Sequence, residues 1–471
     1  MSRPNRLKKK VIERPDGARS TALRTLNRLD EQREQGATEA LDEAIREAAL
    51  DPRDARLAAA LVYVTLRNRL YLDWQLESLL RRPVSGLKPA VNNLLRLSAA
   101  QLLFFQRLPG HAMANEAVNL ARHELRLPGH EAGFINAVAR LLAAPDLPLR
   151  PMPVGDEVRR LSIQYSQPQW LVRMLRKKYG VGAVEPLLAS LNEEPEIALR
   201  ANTLRTSPEA LATELASMGI ETRPGQFVPE ALTLTNQGQL SSLLSSPLFA
   251  DGKFYIQDEA SQVVALLVNP KPGERILDLC AAPGGKTTHL AELCGGKAEI
   301  TATDLSTARL KLIDENLQRL GTPAVKISPY EEVARIADSD IASFDAILVD
   351  VPCSGLGTIR RNPEIRFRSS LESVRACAAR QCEILSLAAR LVRPGGRMVY
   401  STCSVAPEEN RAVVEDFLAV HSEFSIDVTP PDPTALKPLM TPDGYLETWP
   451  AQPHLDGFEA VRLRRAAVPS I

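Results

Sequence analysis

The sequence predicts a multidomain protein in which an all-α N-terminal domain precedes an α/β domain with a doubly wound parallel sheet. Apolar residues recur at three- and four-residue spacing from about residue 20 to 144, which is typical of packed amphipathic helices. The next segment, Ala143 to Asp156, contains four prolines and no periodicity, so it is the first linker. After about Gly252, short apolar strands alternate with helices, the pattern of a parallel sheet covered on both faces.

These changes of pattern set the expected boundaries. We expect a helical domain over residues 1–144, a linker with a small α+β subdomain over 145–251, and the α/β domain over 252–471. The strand candidates of the last part are ERILDLC, AEITATDL, FDAILVDVP and GRMVYST. The intervening helix candidates include TTHLAELC, TARLKLIDENLQRL and EENRAVVEDFLAV.

Composition limits the class of protein without identifying a partner. The 471 residues are 44% apolar and 24% charged, and 57 basic residues balance 57 acidic ones, as in soluble globular proteins. Between Arg3 and Arg28, nine basic residues face two acidic ones, a segment that suits a solvated tail or a nucleic acid. The chain has no apolar run long enough for a membrane span and no signal-peptide core, so we expect a cytoplasmic protein.

The cysteines and histidines favour neither a disulfide framework nor a metal. Six cysteines occur without a CxxC pair, and the six histidines show no ligand spacing. We therefore expect free thiols and no metal site.

The stretch DLCAAPGGKTTHL places a Pro-Gly-Gly turn between the first strand and a helix, which suits close approach of backbone to a ligand. Its ending GGKT, with Asp350 in AILVD, also resembles a nucleotide triphosphate site. A phosphate loop, however, needs glycine five residues before Gly285, where this chain has Cys280. A weaker ATPase hypothesis therefore remains, and it requires nucleotide triphosphate with magnesium.

Asp304 favours a different cofactor. It ends the next strand about twenty residues after Gly284, the spacing at which a carboxylate reaches ribose hydroxyls. S-adenosylmethionine fits an adenosine site that lacks a phosphate cradle. Alternatively, Asp304 caps the helix that begins near Ser306. Lys286 faces either the ligand or solvent.

Two cysteines follow apolar strands, Cys353 in VDVPCSG and Cys403 in VYSTCS. Carbon 5 of a pyrimidine is not nucleophilic until a group adds to carbon 6, and a thiolate can make that addition. The cycle also needs a base and an acid near the ring. The two cysteines, with Asp350 before the first, supply candidates for all three roles. Cys294, Cys377 and Cys382 are expected to be packing residues.

Several long motifs occur in one order: LDLCAAPGGKTTHL, DLSTARLKLIDENLQRLG, VDVPCSGLGTIRRNPEIRF and VYSTCSVAPEEN. Together they resemble the RNA 5-methylcytosine methyltransferase family, and most closely its bacterial ribosomal RNA small-subunit methyltransferase B branch. The helical domain, with NNLLRLSAAQLLF and GFINAVAR, is similar to the NusB-type RNA-binding domain of that branch. The resemblance covers nearly the whole chain and implies a Rossmann-like, S-adenosylmethionine-dependent catalytic domain.

The resemblance also implies roles for particular residues. Cys403 corresponds to the family's nucleophile, Cys353 to the cysteine that assists release of the product, and Asp350 to a carboxylate on the cytosine ring nitrogen. Arg309 corresponds to a position that supports the cofactor site from behind. The implied cofactor-binding residues are Cys280, Ala281, Ala282, Pro283, Gly284, Gly285, Lys286, Asp304, Arg309 and Asp350. One departure concerns adenine, because the family's Gly-Asp after the third strand is replaced by Ser328-Pro329 in VKISPYEE.

The expected substrate is 16S ribosomal RNA, with transfer RNA as an alternative under the same chemistry. Arg360 and Arg361, just past the Pro-Cys motif, either contact phosphates near the target base or are solvated surface residues. A hypothesis of another class makes the NusB-like domain the working part and the C-terminal sheet a relic. The intact pair of Cys353 and Cys403 favours the enzyme.

Overall fold

The computed structural model of the chain describes residues 17–467 apart from 33, 81–82, 106–109, 145, 324, 339–342, 430, 432–435, 450–451 and 453. The chain divides into two units, residues 1–192 with 362–368 and residues 193–361 with 369–471. The three-part division expected at residues 144 and 251 stays a prediction. Among the described residues, no helix has the length and apolar composition needed to cross a bilayer.

The first unit is helical, as predicted. Asp51 begins one of its helices by accepting hydrogen bonds from the backbone N–H groups of Arg53 and Asp54, ahead of Pro52 at the first helical position. The helix at the centre of the unit, α5, is buried along most of its length. The helices are α1 (Gly17–Glu31), α2 (Ala37–Ala48), α3 (Pro52–Arg67), α4 (Arg69–Glu77), α5 (Pro89–Phe104), α6 (Gly110–Asn119), α7 (Gly129–Leu142), α8 (Glu157–Gln164), α9 (Gln169–Tyr179), α10 (Val181–Ser190) and α18 (Ile365–Arg368).

The basic N-terminal segment lies only partly within the described residues, because those before residue 17 fall outside them. Two of its arginines, on α1, have acidic partners. Arg24 pairs with Glu124, and Arg28 pairs with Glu43 and Glu47. In this part of the segment, therefore, the charges serve packing between helices.

A short segment from the C-terminal half of the sequence, residues 362–368, packs within the first unit. Its Arg366 is fully buried. The guanidinium donates to the main-chain oxygens of Arg67, Ser166 and Leu191 and to Oδ1 of Asn192. These acceptors replace the water that a buried arginine loses.

The second unit begins with an antiparallel sheet in the order β2-β3-β1-β4. Helix α11 packs beside it and begins at Ser207, whose side chain accepts a hydrogen bond from the N–H of Ala210. Its elements are β1 (Ala198–Ala201), α11 (Pro208–Ser217), β2 (Thr222–Pro224), β3 (Ala231–Leu234), α12 (Leu240–Leu244), α13 (Pro247–Ala250) and β4 (Phe254–Ile256).

The larger sheet of this unit has the order β10-β12-β9-β8-β5-β6-β7, with β11 also paired to β12. Strands β5 to β9 pair in parallel, as predicted, whereas β10, β11 and β12 add antiparallel pairings. The strands are β5 (Arg275–Asp278), β6 (Glu299–Ala302), β7 (Val325–Ile327), β8 (Phe344–Asp350), β9 (Val392–Thr402), β10 (Phe424–Ile426), β11 (Tyr445–Glu447) and β12 (Glu459–Arg465). The helices are α14 (Glu259–Val268), α15 (Gly285–Leu293), α16 (Thr307–Leu320), α17 (Tyr330–Asp338), α19 (Leu371–Leu391) and α20 (Arg411–Val420).

This strand order places the functional residues. The chain runs outward from β5 through β6 to β7, then crosses back to β8 and β9 on the other side of β5. The order therefore reverses between β5 and β8, where ligands bind in sheets of this type. At that point Asp278 ends β5 opposite Leu348, and Asp350 ends β8 two residues further along.

Candidate active site

The loop that follows β5, Cys280 to Lys286, is shaped for close approach. Gly284 has φ +101, a left-handed conformation that favours glycine. A Cβ on Gly285 would lie 2.7 Å from a ring carbon of Tyr255. Side chains larger than hydrogen at these two positions would therefore distort the turn, and α15 begins directly after it.

Asp304 and Arg309 hold this loop from the side of β6. Oδ2 of Asp304 accepts a hydrogen bond from the N–H of Ala282 at 3.2 Å. Arg309 donates to the Ala282 carbonyl oxygen at 2.7 Å. Oδ1 of Asp304 also accepts a hydrogen bond from the N–H of Ser306, just before α16. Asp304 therefore has a local structural role and also contacts the loop from Cys280 to Lys286.

The electrostatic environment of the loop is acidic. Burial raises the pKa of Cys280 well above its usual value, and the neighbouring charges of Asp278, Asp350 and Asp304 raise it further. Burial also raises the pKa of Asp278 to about 7. Oδ2 of Asp278 accepts a hydrogen bond from Thr287, while its buried Oδ1 has no partner among the described residues. Such a site suits a ligand that brings positive charge and a hydrogen-bond donor.

Lys286 lies inside the site rather than in solvent, with its side chain 12% exposed. Its Nζ donates to Oδ2 of Asp350 at 2.7 Å and lies 5.1 Å from the ring centre of Phe458. Burial lowers the pKa of Lys286, but Asp350, together with Cys403 and Asp278, outweighs burial and raises the pKa above its usual value. Asp350 is fixed on its other oxygen by the hydroxyl of Ser401, at 2.7 Å.

The two cysteine loops meet beyond these charges. β8 and β9 are parallel neighbours with Asp350 opposite Ser401, so the loops that follow them leave the sheet side by side. The Sγ atoms of Cys353 and Cys403 lie 3.1 Å apart. The hydrogen bond with Cys403, together with burial, raises the pKa of Cys353 well above its usual value. Cys353 therefore keeps its proton and can donate it to the sulfur of Cys403.

The two arginines predicted to contact RNA have internal partners. Arg361, 26% exposed, forms ion pairs with Asp258 and Asp456. Arg360 is buried and donates to the Leu455 carbonyl oxygen. These positions favour a structural role, and direct contact with phosphates stays an untested prediction.

The residue that follows β7, Ser328, is also buried, so adenine recognition is not assigned to it.

Sequence reasoning missed Arg200, which supports the glycine loop from β1. Its fully buried guanidinium pairs with both carboxylate oxygens of Glu292 at 2.8 and 2.9 Å. It also donates to the Gly285 carbonyl oxygen at 2.6 Å and to Thr288. The signal was an arginine inside an otherwise apolar strand, IALRAN, because such a residue needs a buried partner.

A second residue that was missed is Glu409, which is fully buried on a 3₁₀ turn, Pro407–Glu409. Its carboxylate accepts hydrogen bonds from Ser354 and Ser404, the residues that follow the two cysteines. The repeated Cys-Ser dipeptide was visible in the sequence. The partner of both serines was not.

Comparisons with known proteins agree with this arrangement. A family model described as 16S rRNA methyltransferase RsmB/F matches residues 265–464, a NusB family model matches 16–143, and a ferredoxin-like domain of RsmF/B-like methyltransferases matches 167–241. The chain is 34% identical to the probable ribosomal RNA small subunit methyltransferase B of Bacillus subtilis (strain 168), over 95% of this chain and 98% of that protein. Identity to the Synechocystis protein of the same name is also 34%, over 94% and 98% of the two chains.

A solved structure extends the similarity to the fold. The crystal structure of PH0851 is 28% identical, covers 96% of this chain and 99% of that one, and superposes with a TM-score of 0.79. Fold and site together define a methyltransferase with a NusB-type helical domain. The chain belongs to the RsmB/F family of 16S rRNA methyltransferases, which confirms the family predicted from the motifs.

Proposed function

We propose that this protein methylates carbon 5 of a cytosine in 16S ribosomal RNA through a covalent adduct of Cys403. One observation carries the proposal: the sulfur atoms of Cys403 and Cys353 lie 3.1 Å apart at the carboxyl ends of neighbouring strands. Methyl transfer to oxygen or nitrogen needs no thiol. Activation of a pyrimidine carbon does.

S-adenosylmethionine, when bound, supplies an electrophilic methyl group. The residues that would hold it are the loop from Cys280 to Lys286 with Asp304, supported by Arg309 from behind. The acidic surroundings and the unpartnered Oδ1 of Asp278 fit a cationic ligand with an amino group. The pKa of the Cys280 thiol is raised, so Cys280 would contact the cofactor through its backbone and not as a thiolate.

The chain's own residues provide the steps on the base. The Cys403 thiolate forms a bond to carbon 6, and the electron pair of the double bond between carbons 5 and 6 moves to carbon 5. Once carbon 5 carries the methyl group, Cys353 gives its thiol proton to the sulfur of Cys403 as the bond from that sulfur to carbon 6 breaks. The proton of carbon 5 passes to the sulfur of Cys353, and the electron pair that it leaves forms the double bond again. Cys353 lies beside Cys403 to assist this release.

Asp350 and Lys286 would place the base. Asp350 lies three residues before Cys353 and is held by both Lys286 and Ser401. The ring nitrogen of cytosine is a hydrogen-bond acceptor, so Asp350 would bind it through a proton held between the carboxyl group and the nitrogen, and that proton balances the negative charge that develops as the thiolate adds. The target base must be unstacked to reach the site.

The test is bisulfite sequencing of total RNA from cells with and without this protein, because it reports the type and the position of the modification together. We expect one cytosine of 16S rRNA to lose its resistance to conversion when the gene is deleted. Methylation restored by wild type but not by Cys403→Ala would support the proposal. A changed site in transfer RNA alone would overturn the assignment of substrate, and an unchanged pattern in all RNAs would overturn the reaction.

A further inference from the structure

Each of the two cysteines is followed by a serine, and the two serines meet as the cysteines do. The hydroxyl oxygens of Ser354 and Ser404 lie 3.1 Å apart, the same separation as the sulfurs of Cys353 and Cys403. The loops therefore run in register as two Cys-Ser dipeptides. The two sulfur atoms form one contact between the loops, and the two hydroxyl groups form a second.

The carboxylate of Glu409 accepts hydrogen bonds from both serine hydroxyls. Oε1 accepts from the N–H of Ser354 at 2.7 Å. Oε2 accepts from the hydroxyl of Ser354 and, at 2.5 Å, from that of Ser404. A carboxylate so fully buried is costly unless donors surround it, and these donors come from both cysteine loops.

Two neighbouring side chains fix the position of Glu409. Gln381 on α19 donates to Oε1 of Glu409 at 3.3 Å and to the Pro352 carbonyl oxygen at 3.0 Å. The hydroxyl of Tyr400 donates to the Glu409 carbonyl oxygen at 2.5 Å. Glu409 is therefore held through its carboxylate by α19 and through its main-chain oxygen by β9, so it can act as a rigid tie.

We propose that Glu409 is a positioning residue, which keeps the sulfurs of Cys353 and Cys403 in contact by tying Ser354 to Ser404. The proposal rests on the roles given above to the two cysteines. Glu409 reaches neither the base nor the cofactor loop through any of these bonds. Backbone bonds elsewhere, such as Gly357 N–H to the Cys403 carbonyl oxygen at 2.9 Å, keep the loops folded, so losing the tie should displace the sulfurs rather than unfold the unit.

The first experiment compares steady-state kinetics of Glu409→Ala, Glu409→Gln and the exposed control Glu415→Gln on α20. We expect Glu409→Ala to lower kcat about 100-fold, the scale for a misplacement near 1 Å, with KM for RNA unchanged within about twofold. Glu409→Gln keeps an oxygen acceptor and should recover most of the loss. Equal losses in the Ala and Gln variants, an equal change in kcat and KM, or a kcat of Glu409→Ala near wild type would each overturn the proposal.

If Glu409→Ala does not fold, judged by its melting temperature and by cofactor affinity, Ser404→Ala and Ser354→Ala test the same tie from its two ends. Each removes a hydrogen bond to a charged group, and we expect a loss of kcat of about tenfold at unchanged KM. Wild-type kcat in both serine variants would overturn the proposal.

The second experiment measures the sulfur contact without RNA or methyl transfer. Diamide accepts two electrons and two protons from a pair of neighbouring thiols, which become a disulfide, and peptide mass spectrometry measures the bridge between Cys353 and Cys403. We expect Glu409→Ala to form it about tenfold more slowly than wild type, and Glu409→Gln and Glu415→Gln to match wild type. A wild-type rate in Glu409→Ala, or no bridge in wild type, would contradict the tie. This comparison holds even if Cys403→Ala still methylates RNA, an outcome that overturns the proposed function alone.

Discussion

Under the mechanism proposed above, replacing each cysteine in turn separates attack on the base from release of the product. Without Cys403 nothing adds to carbon 6, so Cys403→Ala should lose turnover by about 10⁶, the scale for loss of a catalytic nucleophile, and form no adduct. Cys353 lies 3.1 Å from that nucleophile and keeps its proton. Cys353→Ala should therefore still add to the base and then stall. Its turnover should fall by about 10²–10⁴, the usual contribution of one positioned proton-transfer group.

The assay mixes each purified variant with transcribed 16S rRNA and S-adenosylmethionine and resolves the products on a denaturing gel. We expect a slowly migrating protein–RNA band that approaches one adduct per enzyme for Cys353→Ala, and none for Cys403→Ala. Cys382→Ala, on α19 and outside the site, is the matched control and should behave as wild type. A band in Cys403→Ala that is absent in Cys353→Ala would reverse the two roles. Intact methylation in both variants without any band would refute the covalent mechanism.

Three further predictions concern the acids and the buried arginine of this unit. The pKa of Asp278 is raised from 3.8 to about 7, so the unfolded chain releases this proton first and stability falls as pH rises from about 4 to about 7. Between pH 5.5 and 7 the free energy of unfolding should fall by roughly 2 kcal/mol, at about 1.36 kcal/mol per pH unit. Urea unfolding of the wild type should show this decline, and an equal decline in Asp278→Asn would contradict the assignment. Arg200→Met leaves Glu292 buried without its ion pair and should cost about 3–5 kcal/mol in urea unfolding, most of it recovered when Glu292→Leu is added; a loss below about 1 kcal/mol would contradict this. Asp304→Ala should weaken S-adenosylmethionine binding by about 1–3 kcal/mol in calorimetry, and a weakening as small as that of the exposed control Asp314→Ala would remove Asp304 from the site.

The sequence was most informative where local pattern and topology carry the same information. Buried parallel strands read as short apolar runs, which is why β5, β6, β8 and β9 were predicted. Consecutive parallel strands end at one edge of the sheet, which made the meeting of Cys353 and Cys403 predictable. The antiparallel strands β10 to β12 were not predicted, because the order of strands in a sheet is decided by packing between distant segments.

The residues that were missed have partners far away in sequence. Arg200 and Glu292 are separated by 92 positions, and Ser354 and Glu409 by 55. Arg366 lies in the C-terminal half of the sequence, yet it is buried in the helical unit, where it donates to main-chain oxygens. No residue pattern predicts such acceptors. A sequence shows that a buried polar residue needs a partner, but only the fold shows which one it has.

The charges of the site impose opposite demands on its two halves. Asp278, Asp304 and Asp350 make the loop favourable for a cationic cofactor. Burial is the main reason that the pKa of Cys280 is raised, and the same three carboxylates raise it further, so they oppose ionisation of a nearby thiol. In the proposed reaction, Cys403 attacks the base as a thiolate in this same neighbourhood. Two features lie beside its sulfur: the ammonium of Lys286, whose charge interacts with Cys403, and the protonated Cys353, whose sulfur is 3.1 Å away. The hydrogen bond acts only at short range, because it is lost within a fraction of an ångström, whereas the interaction with the ammonium weakens gradually with distance. The proposed reaction, which needs both a bound cation and a thiolate, therefore depends on the fixed separation of the two cysteine loops as well as on the total charge of the site.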